Sequence, residues 1–278
     1  FRATPLADGS RVLGAHFYGP YFRYEARGAH PGGPVRPPVA HEYLQYLEFA
    51  DDLVTATIAP EVTGAKEFAL ACRERGVRTN AGHSWATFAQ MREAVEWGVR
   101  HVDHLFCAMS DKSKLRQFQM YPMQGGVLEA TLYFDELTTE VISDGKHLDE
   151  GLLLLALKIK GADRLAIVSD SSRALDMPDG RYVIGPLDGG EPLVKRDGVG
   201  MIPDLSALAS SVQGMDHMVR TFWQLTGRPV WEVIRMASLT PARIAGHSDD
   251  LGSLDVGKRA DILLLTPDLE IQSVHLAK

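Results

Sequence analysis

The stretch 77–110, VRTNAGHSWATFAQMREAVEWGVRHVDHLFCAMS, reads as strand, helix, strand, with a histidine closing each strand. Residues 77–81 form a short β-run stopped by Gly82-His83. Ser84 then offers its hydroxyl as an N-cap, and Trp85, Phe88, Met91 and Val95 recur at helical spacing. Gly98 ends the helix, and a second strand is expected over 99–106, with His104 near its end. In a parallel βαβ unit both strands finish on the same side. The pattern therefore predicts that His83 and His104 converge at one mouth, as two metal ligands or two polar groups of an active site. Two histidines on unrelated loops would read the same in this stretch alone, so the remainder of the chain has to decide.

Taken in order, the chain opens with a strand expected over 12–17, ending in His16-Phe17-Tyr18-Gly19-Pro20. A loop rich in Gly, Pro and Arg follows over 21–38; that much chain without periodicity marks a functional or a mobile loop. A helix over 41–49, a strand over 53–58 stopped by Ala59-Pro60-Glu61, and a helix over 65–75 lead into the βαβ unit. Beyond it come a polar loop, 110–124, and strands over 127–134 and 140–143, the second closing on Asp144-Gly145-Lys146-His147. A helix over 148–159 and a strand over 164–169, ending at Asp170, complete the alternation. Helices placed regularly between strands are the pattern of a parallel barrel, not of a sandwich or a bundle. Tyr18, Glu61, His83, His104, His147 and Asp170 fall at successive strand ends, the face from which barrel enzymes draw their chemistry.

After Asp170 the chain carries a glycine-rich hairpin region over 179–200, then Leu208-Ala209-Ser210-Ser211. An amphipathic helix holding Met215, Met218, Val219 and Phe222 comes next; its methionines read as core packing. A helix over 231–238 is stopped near Thr240-Pro241. From residue 252 the pattern changes to strand and turn, so the division expected is a barrel over 1–251 and strands of a small β domain over 252–278.

Composition narrows the function. A chain of 278 residues that is 45% hydrophobic can bury one large core, and a single α/β barrel is commonly this size. A net charge of −7, with no basic cluster to offset it, argues against a nucleic-acid binder. Two cysteines, Cys72 and Cys107, form no disulfide framework and suit a reducing cytoplasm. The apolar run LLLLALKI is too short to span a membrane, and the start does not read as a signal peptide. Phe1-Arg2-Ala3 has no initiator methionine, so a native beginning upstream is expected.

The motifs GHSWAT, HLFCAM, SDGKH, VSD, LTPARIAG and GSLDVGKRADILLL, in that order, resemble the N-acetylglucosamine-6-phosphate deacetylases of the amidohydrolase superfamily. The resemblance spans nearly the whole chain; its last motif is shared widely in the superfamily, whereas the first three together are more specific. It implies a metal-dependent (β/α)8 TIM-type barrel with a small β-sandwich, usually dimeric, acting on amino-sugar phosphates. It implies that His83 and His104 are metal ligands, that His147 polarises the acetyl carbonyl, and that Asp170 is the catalytic acid/base. Ala29, His30, Cys107, Ala108, Arg116, Asp144 and Leu208, Ala209 and Ser210 fall where that family contacts substrate. The implied ion is divalent, zinc first, with iron, manganese or cobalt as alternatives.

Three departures qualify the resemblance. Where the family has His-x-Glu-Gly-Pro this chain reads HFYGP, so Tyr18 replaces a metal-binding glutamate. Cys107 stands where the family has asparagine, and the family's first barrel strand, with its His-x-His, has no counterpart before Phe1. A phenol is a poor ligand near neutral pH, because its ordinary pKa is about 10. Tyr18 is therefore expected to line the pocket, with Asp170 or Glu61 as the third ligand. Two alternatives stay open from sequence: a sugar-phosphate binder that has lost its metal, and a hydrolase of a different acylated amine.

Overall fold

The computed structural model describes residues 10–277. Its centre is a sheet of six parallel strands in sequential order: β1 (Ala15–Phe17), β2 (Leu53–Ile58), β3 (Arg78–Ala81), β4 (His101–Val102), β5 (Thr138–Ile142) and β6 (Leu165–Val168). Strand after strand is added on the same side, with α2 (Ala65–Glu74), α3 (Phe88–Trp97), α5 (Val127–Tyr133) and α6 (Glu150–Lys160) in the crossovers. The described strands make a curled half-barrel, since a TIM-type barrel closes with eight. The short helix α4 (Lys112–Leu115) and, before β2, α1 (Ala40–Tyr46) sit in the loops.

Period-2 alternation splits each strand between two environments. Ala81, Val102 and Val141 face the helices and join one core with Met91 and Ala94 of α3, Ala130 of α5, and Leu153 and Leu157 of α6. Helices α7 (Met215–Thr226) and α8 (Val230–Ala237) close that core with Met218, Phe222, Val233 and Met236. Each fully buried Leu or Phe of this set contributes on the order of 2 kcal/mol. The opposite face of the strands carries Thr57, Asn80, His101 and Glu140, hydrogen-bonded to one another or to neighbours. A polar barrel interior is unusual, because branched aliphatics dominate such layers.

Two further sheets stand apart: the antiparallel β7 (Gly180–Ile184), β8 (Glu191–Arg196) and β9 (Val199–Met201), and the hairpin β10 (Ile262–Leu265) with β11 (Ile271–His275). Between them lies α9 (Leu239–Ala245), ended by Gly246 in the left-handed conformation.

Three local expectations differ from the structure. Residues 127–134, expected as a strand, form α5: Glu129 reaches back to the Gly126 amide at 2.7 Å, and Val127, Ala130 and Thr131 are buried at helical spacing. Their β-branched and aromatic side chains carry strand propensity, but packing of Tyr133 and Phe134 on Phe88 of α3 decides for helix. Helix α3 is capped by Thr87 and not by Ser84; the Thr87 hydroxyl accepts from the Gln90 amide, and the Gln90 side chain accepts from the Thr87 amide. Strand β4 is only two residues long, because the backbone turns left-handed at His104 (φ 26°) and Phe106 (φ 75°).

Candidate active site

Left-handed backbone at a non-glycine residue costs of order 1–3 kcal/mol and persists where the surrounding structure over-determines it. Here it recurs at the strand-end positions that the sequence singles out: His83 (φ 46°), His104 (φ 26°), Ala108 (φ 49°), Asp170 (φ 45°) and, on a neighbouring loop, Ser210 (φ 57°). His83, His104 and Asp170 lie two residues past the ends of β3, β4 and β6, at the carboxyl end of the sheet. Gly82 allows the first of these turns: a Cβ there would collide with the Asp103 carboxylate and the Thr57 methyl.

His83 and His104 meet at this mouth with their Nε2 atoms 3.1 Å apart. The Ala26 carbonyl can only accept, so His83 Nδ1, 2.8 Å away, carries the proton and Nε2 presents a lone pair. Burial, and then His104 and His30, push the His83 pKa well down, and burial with His104 pushes His30 down to about 4. The pocket wall is aromatic: Phe22 stacks on the His83 ring at 4.5 Å, and His30 meets that ring edge-on at 4.8 Å.

Two nitrogen ligands of a tetrahedral ion, at bonds of about 2.0–2.1 Å, stand about 3.3 Å apart, so the spacing fits one borderline divalent ion. The buried Nδ1 of His104 has no partner among the described residues.

Tyr18 lies in this mouth beside the histidine pair. Its hydroxyl lies 2.8 Å from His104 Nε2, on the nitrogen that the resemblance assigns to the metal. Burial, reinforced by Asp103, Asp170 and Glu140, pushes its pKa further up, so it is a neutral phenol. Glu61 is committed elsewhere: its carboxylate accepts from the Ser84 hydroxyl at 2.7 Å and the Trp85 amide at 2.5 Å. Of the two carboxylates expected as a third ligand, that leaves Asp170. Burial pushes its pKa up, against the pull of His104 and His147 and with the help of Glu140 and Asp103.

The Asp144–His147 pair forms as a unit. Asp144 accepts from the His147 ring Nδ1 and backbone amide, both at 2.8 Å, and from the Lys146 amide at 2.9 Å. Burial pushes the Asp144 carboxyl up, but these hydrogen bonds hold it below the usual range. Cys107 is a protonated thiol, pushed up to about 12 by burial and then by Asp170 and Asp144.

Ala29 packs against the small cluster containing Ala209, which brings the long first loop against the 208–210 segment. The Ser211 amide, one residue on, donates to the Asp170 carbonyl at 2.9 Å. Leu208 and Ser210 are half-buried beside it. Arg116 is exposed one residue beyond α4, and no contact described above includes it.

Sequence reasoning missed a second group. His101, Asp103 and Glu140 can each turn one ligand atom to within 4.8 Å of the others, one layer below the His83–His104 pair. The available signal was polar residues alternating on central strands, in RHVDH and TTEVI, where aliphatics are expected.

Residues 7–276 match the amidohydrolase family. The chain is 32% identical to N-acetylgalactosamine-6-phosphate deacetylase of Escherichia coli O157:H7, over 96% of this chain and 68% of that protein. The crystal structure of N-acetylglucosamine-6-phosphate deacetylase from Pasteurella multocida superposes with a TM-score of 0.87 at 30% identity, covering 97% of this chain and 67% of that one. A mutant of the Mycobacterium smegmatis enzyme, in complex with N-acetyl-D-glucosamine-6-phosphate, superposes with a TM-score of 0.84 at 28% identity, over 95% of this chain and 67% of that one. The chain spans 63–68% of the length of the curated relatives it matches.

Proposed function

We propose that this chain, which belongs to the amidohydrolase family, removes the acetyl group from an N-acetylated amino-sugar phosphate. The observation that carries the reading is the pair of imidazole Nε2 atoms 3.1 Å apart at the strand ends, in the same mouth as Asp170 and the Asp144–His147 pair. The relatives' names supply the substrate class: they act on N-acetylated glucosamine or galactosamine 6-phosphates.

A divalent ion, zinc by its preference for imidazole, would be held by His83 and His104 with Asp170 in reach, where it would lower the pKa of a water and polarise the acetyl carbonyl. Asp170 takes the proton from the attacking water and delivers it to the amine nitrogen as the amide bond breaks. His147 has Nδ1 fixed by Asp144, so its Nε2 is the atom left to meet the acetyl oxygen as negative charge develops there. Phe22 and His30 exclude water from one flank of the His83 ring. Cys107, protonated and beside Asp170 and Asp144, contributes no nucleophile. No helix among the described residues is long and apolar enough to cross a membrane. Cys72 and Cys107 are free thiols, which suits a reducing cytoplasm, and a homodimer is proposed on the sequence resemblance alone.

Tyr18 favours one rival. With its hydroxyl on His104 Nε2, Tyr18 takes up the nitrogen that an ion would need, as in a sugar-phosphate binder that works without one. Acetate release from N-acetylglucosamine 6-phosphate and N-acetylgalactosamine 6-phosphate, with zinc supplied, separates the readings. The deacetylase releases acetate from the phosphorylated sugars and much less from the unphosphorylated ones. Tight binding of the intact sugar phosphate with no acetate would establish the rival.

A further inference from the structure

The interior layer beneath the His83–His104 pair carries charge that the proposed reaction does not use. Asp103 is 1% exposed and His101 4%. Glu140, on the adjacent strand, is half-buried. The Asp103 carboxylate accepts from the Thr57 hydroxyl at 2.7 Å and from the Asn80 amide at 2.9 Å.

His101 poses a proton-counting problem. The Thr138 hydroxyl spends its proton on the Arg100 carbonyl at 3.0 Å, so it accepts from His101 Nδ1 at 2.8 Å. The neutral ring then has its lone pair on Nε2, 3.3 Å from a Glu140 oxygen. A lone pair facing a carboxylate is repulsive unless a proton or a cation lies between them. Asp103 and Glu140 are two carboxylates gathered around His101, and burying charge without full compensation costs several kcal/mol.

A second observation points the same way. Asn80, 4% exposed, donates to Asp103 through its amide nitrogen while its buried Oδ1 has no partner among the described residues. The unsatisfied oxygen therefore belongs to a side chain already attached to the cluster.

We propose that His101, Asp103 and Glu140 form a second, buried divalent-cation site, with the Asn80 carbonyl oxygen as a further ligand. One nitrogen with several oxygens is a donor set suited to manganese, with zinc as the competing ion. Ligand atoms on opposite sides of an octahedral ion with bonds of about 2.1 Å stand about 4.2 Å apart. The present limit of 4.8 Å closes with side-chain shifts of a few tenths of an ångström. Access comes from the end of the sheet away from the active-site mouth. There a cavity of about 470 Å³ is lined by Asn80, His101 and Thr138, with Arg78, Arg100 and Arg243 among its other residues. Those guanidiniums are engaged, by the Ala245 carbonyl, the Val95 and Val99 carbonyls, and Asp163 respectively. The ion would neutralise the two carboxylates and tie β4 to β5, fixing the strand from which His104 projects.

The inference does not depend on deacetylase activity, and its test reads binding. Purified chain is stripped with chelator and titrated with Mn2+, free ion being followed by electron paramagnetic resonance. In H83A/H104A, which removes both imidazoles of the upper pair, one equivalent of Mn2+ should still bind and should raise Tm. Adding E140Q to that background should weaken binding at least tenfold. Absence of Mn2+ binding in H83A/H104A, or binding indifferent to E140Q, overturns the site and leaves His101 as a protonated partner of Glu140. Should H83A/H104A fail to fold, H101Q and E140Q in the otherwise native chain decide. Each should weaken one equivalent of the bound Mn2+ at least tenfold, and an unchanged titration curve overturns the proposal.

Discussion

At position 18 a phenol places its hydroxyl 2.8 Å from His104 Nε2, where the resembling family carries a glutamate. The substitution removes a hard anionic ligand and adds a neutral donor to an imidazole that would otherwise ligate. Tyr18→Phe frees that nitrogen, and Tyr18→Glu also restores a carboxylate. Zinc affinity, measured by chelator competition, should rise in the order wild type, Tyr18→Phe, Tyr18→Glu. The last step should be on the order of ten- to a hundredfold, the scale on which individual side chains around a metal site act. Equal affinities in all three would show that Tyr18 does not control the pair. The tyrosine itself was legible from sequence, but its partner was not. Sequence spacing fixes which strand end a residue occupies, and leaves open which of several facing groups a hydroxyl selects. His101, Asp103 and Glu140 escaped for a related reason: each is unremarkable alone, and only the strand register brings them together.

Helix α3 shows at the scale of an element how the site is held. Thr87 and Gln90 form a reciprocal cap at the point where the chain leaves the His83 turn. Threonine-x-x-glutamine was present in the sequence, yet Ser84 was the nearer candidate after the strand. Its hydroxyl is drawn instead to Glu61, at 2.7 Å, which staples the β2 end to the β3 end. Thr87→Ala should therefore cost about 1 kcal/mol of stability by urea denaturation. A loss below about 0.3 kcal/mol would show that packing alone fixes the helix start. The βαβ frame around it was readable because hydrophobic period and glycine stops agree. Helix α5 was not, because Thr131, Tyr133 and Phe134 carry strand propensity and only their packing on Phe88 reverses it.

Across the whole molecule, six parallel strands added in sequence order bring their carboxyl ends to one side, and that topology gathers residues from 18 to 170 into one mouth. The fold class was legible because the alternation of elements repeats along the chain. The extent of left-handed backbone at the mouth was not, since histidine and aspartate adopt it only where tertiary contacts impose it. The account rests on those turns serving chemistry at Asp170. Its most direct test is the rate of acetate release from N-acetylglucosamine 6-phosphate by Asp170→Asn beside the wild type, with circular dichroism and bound zinc measured on the same samples. An amide is nearly isosteric with the carboxylate but cannot shuttle a proton. The account predicts an unchanged fold, most of the zinc retained, and a rate lower by about a hundredfold or more. A variant that turns over near the wild-type rate would contradict it.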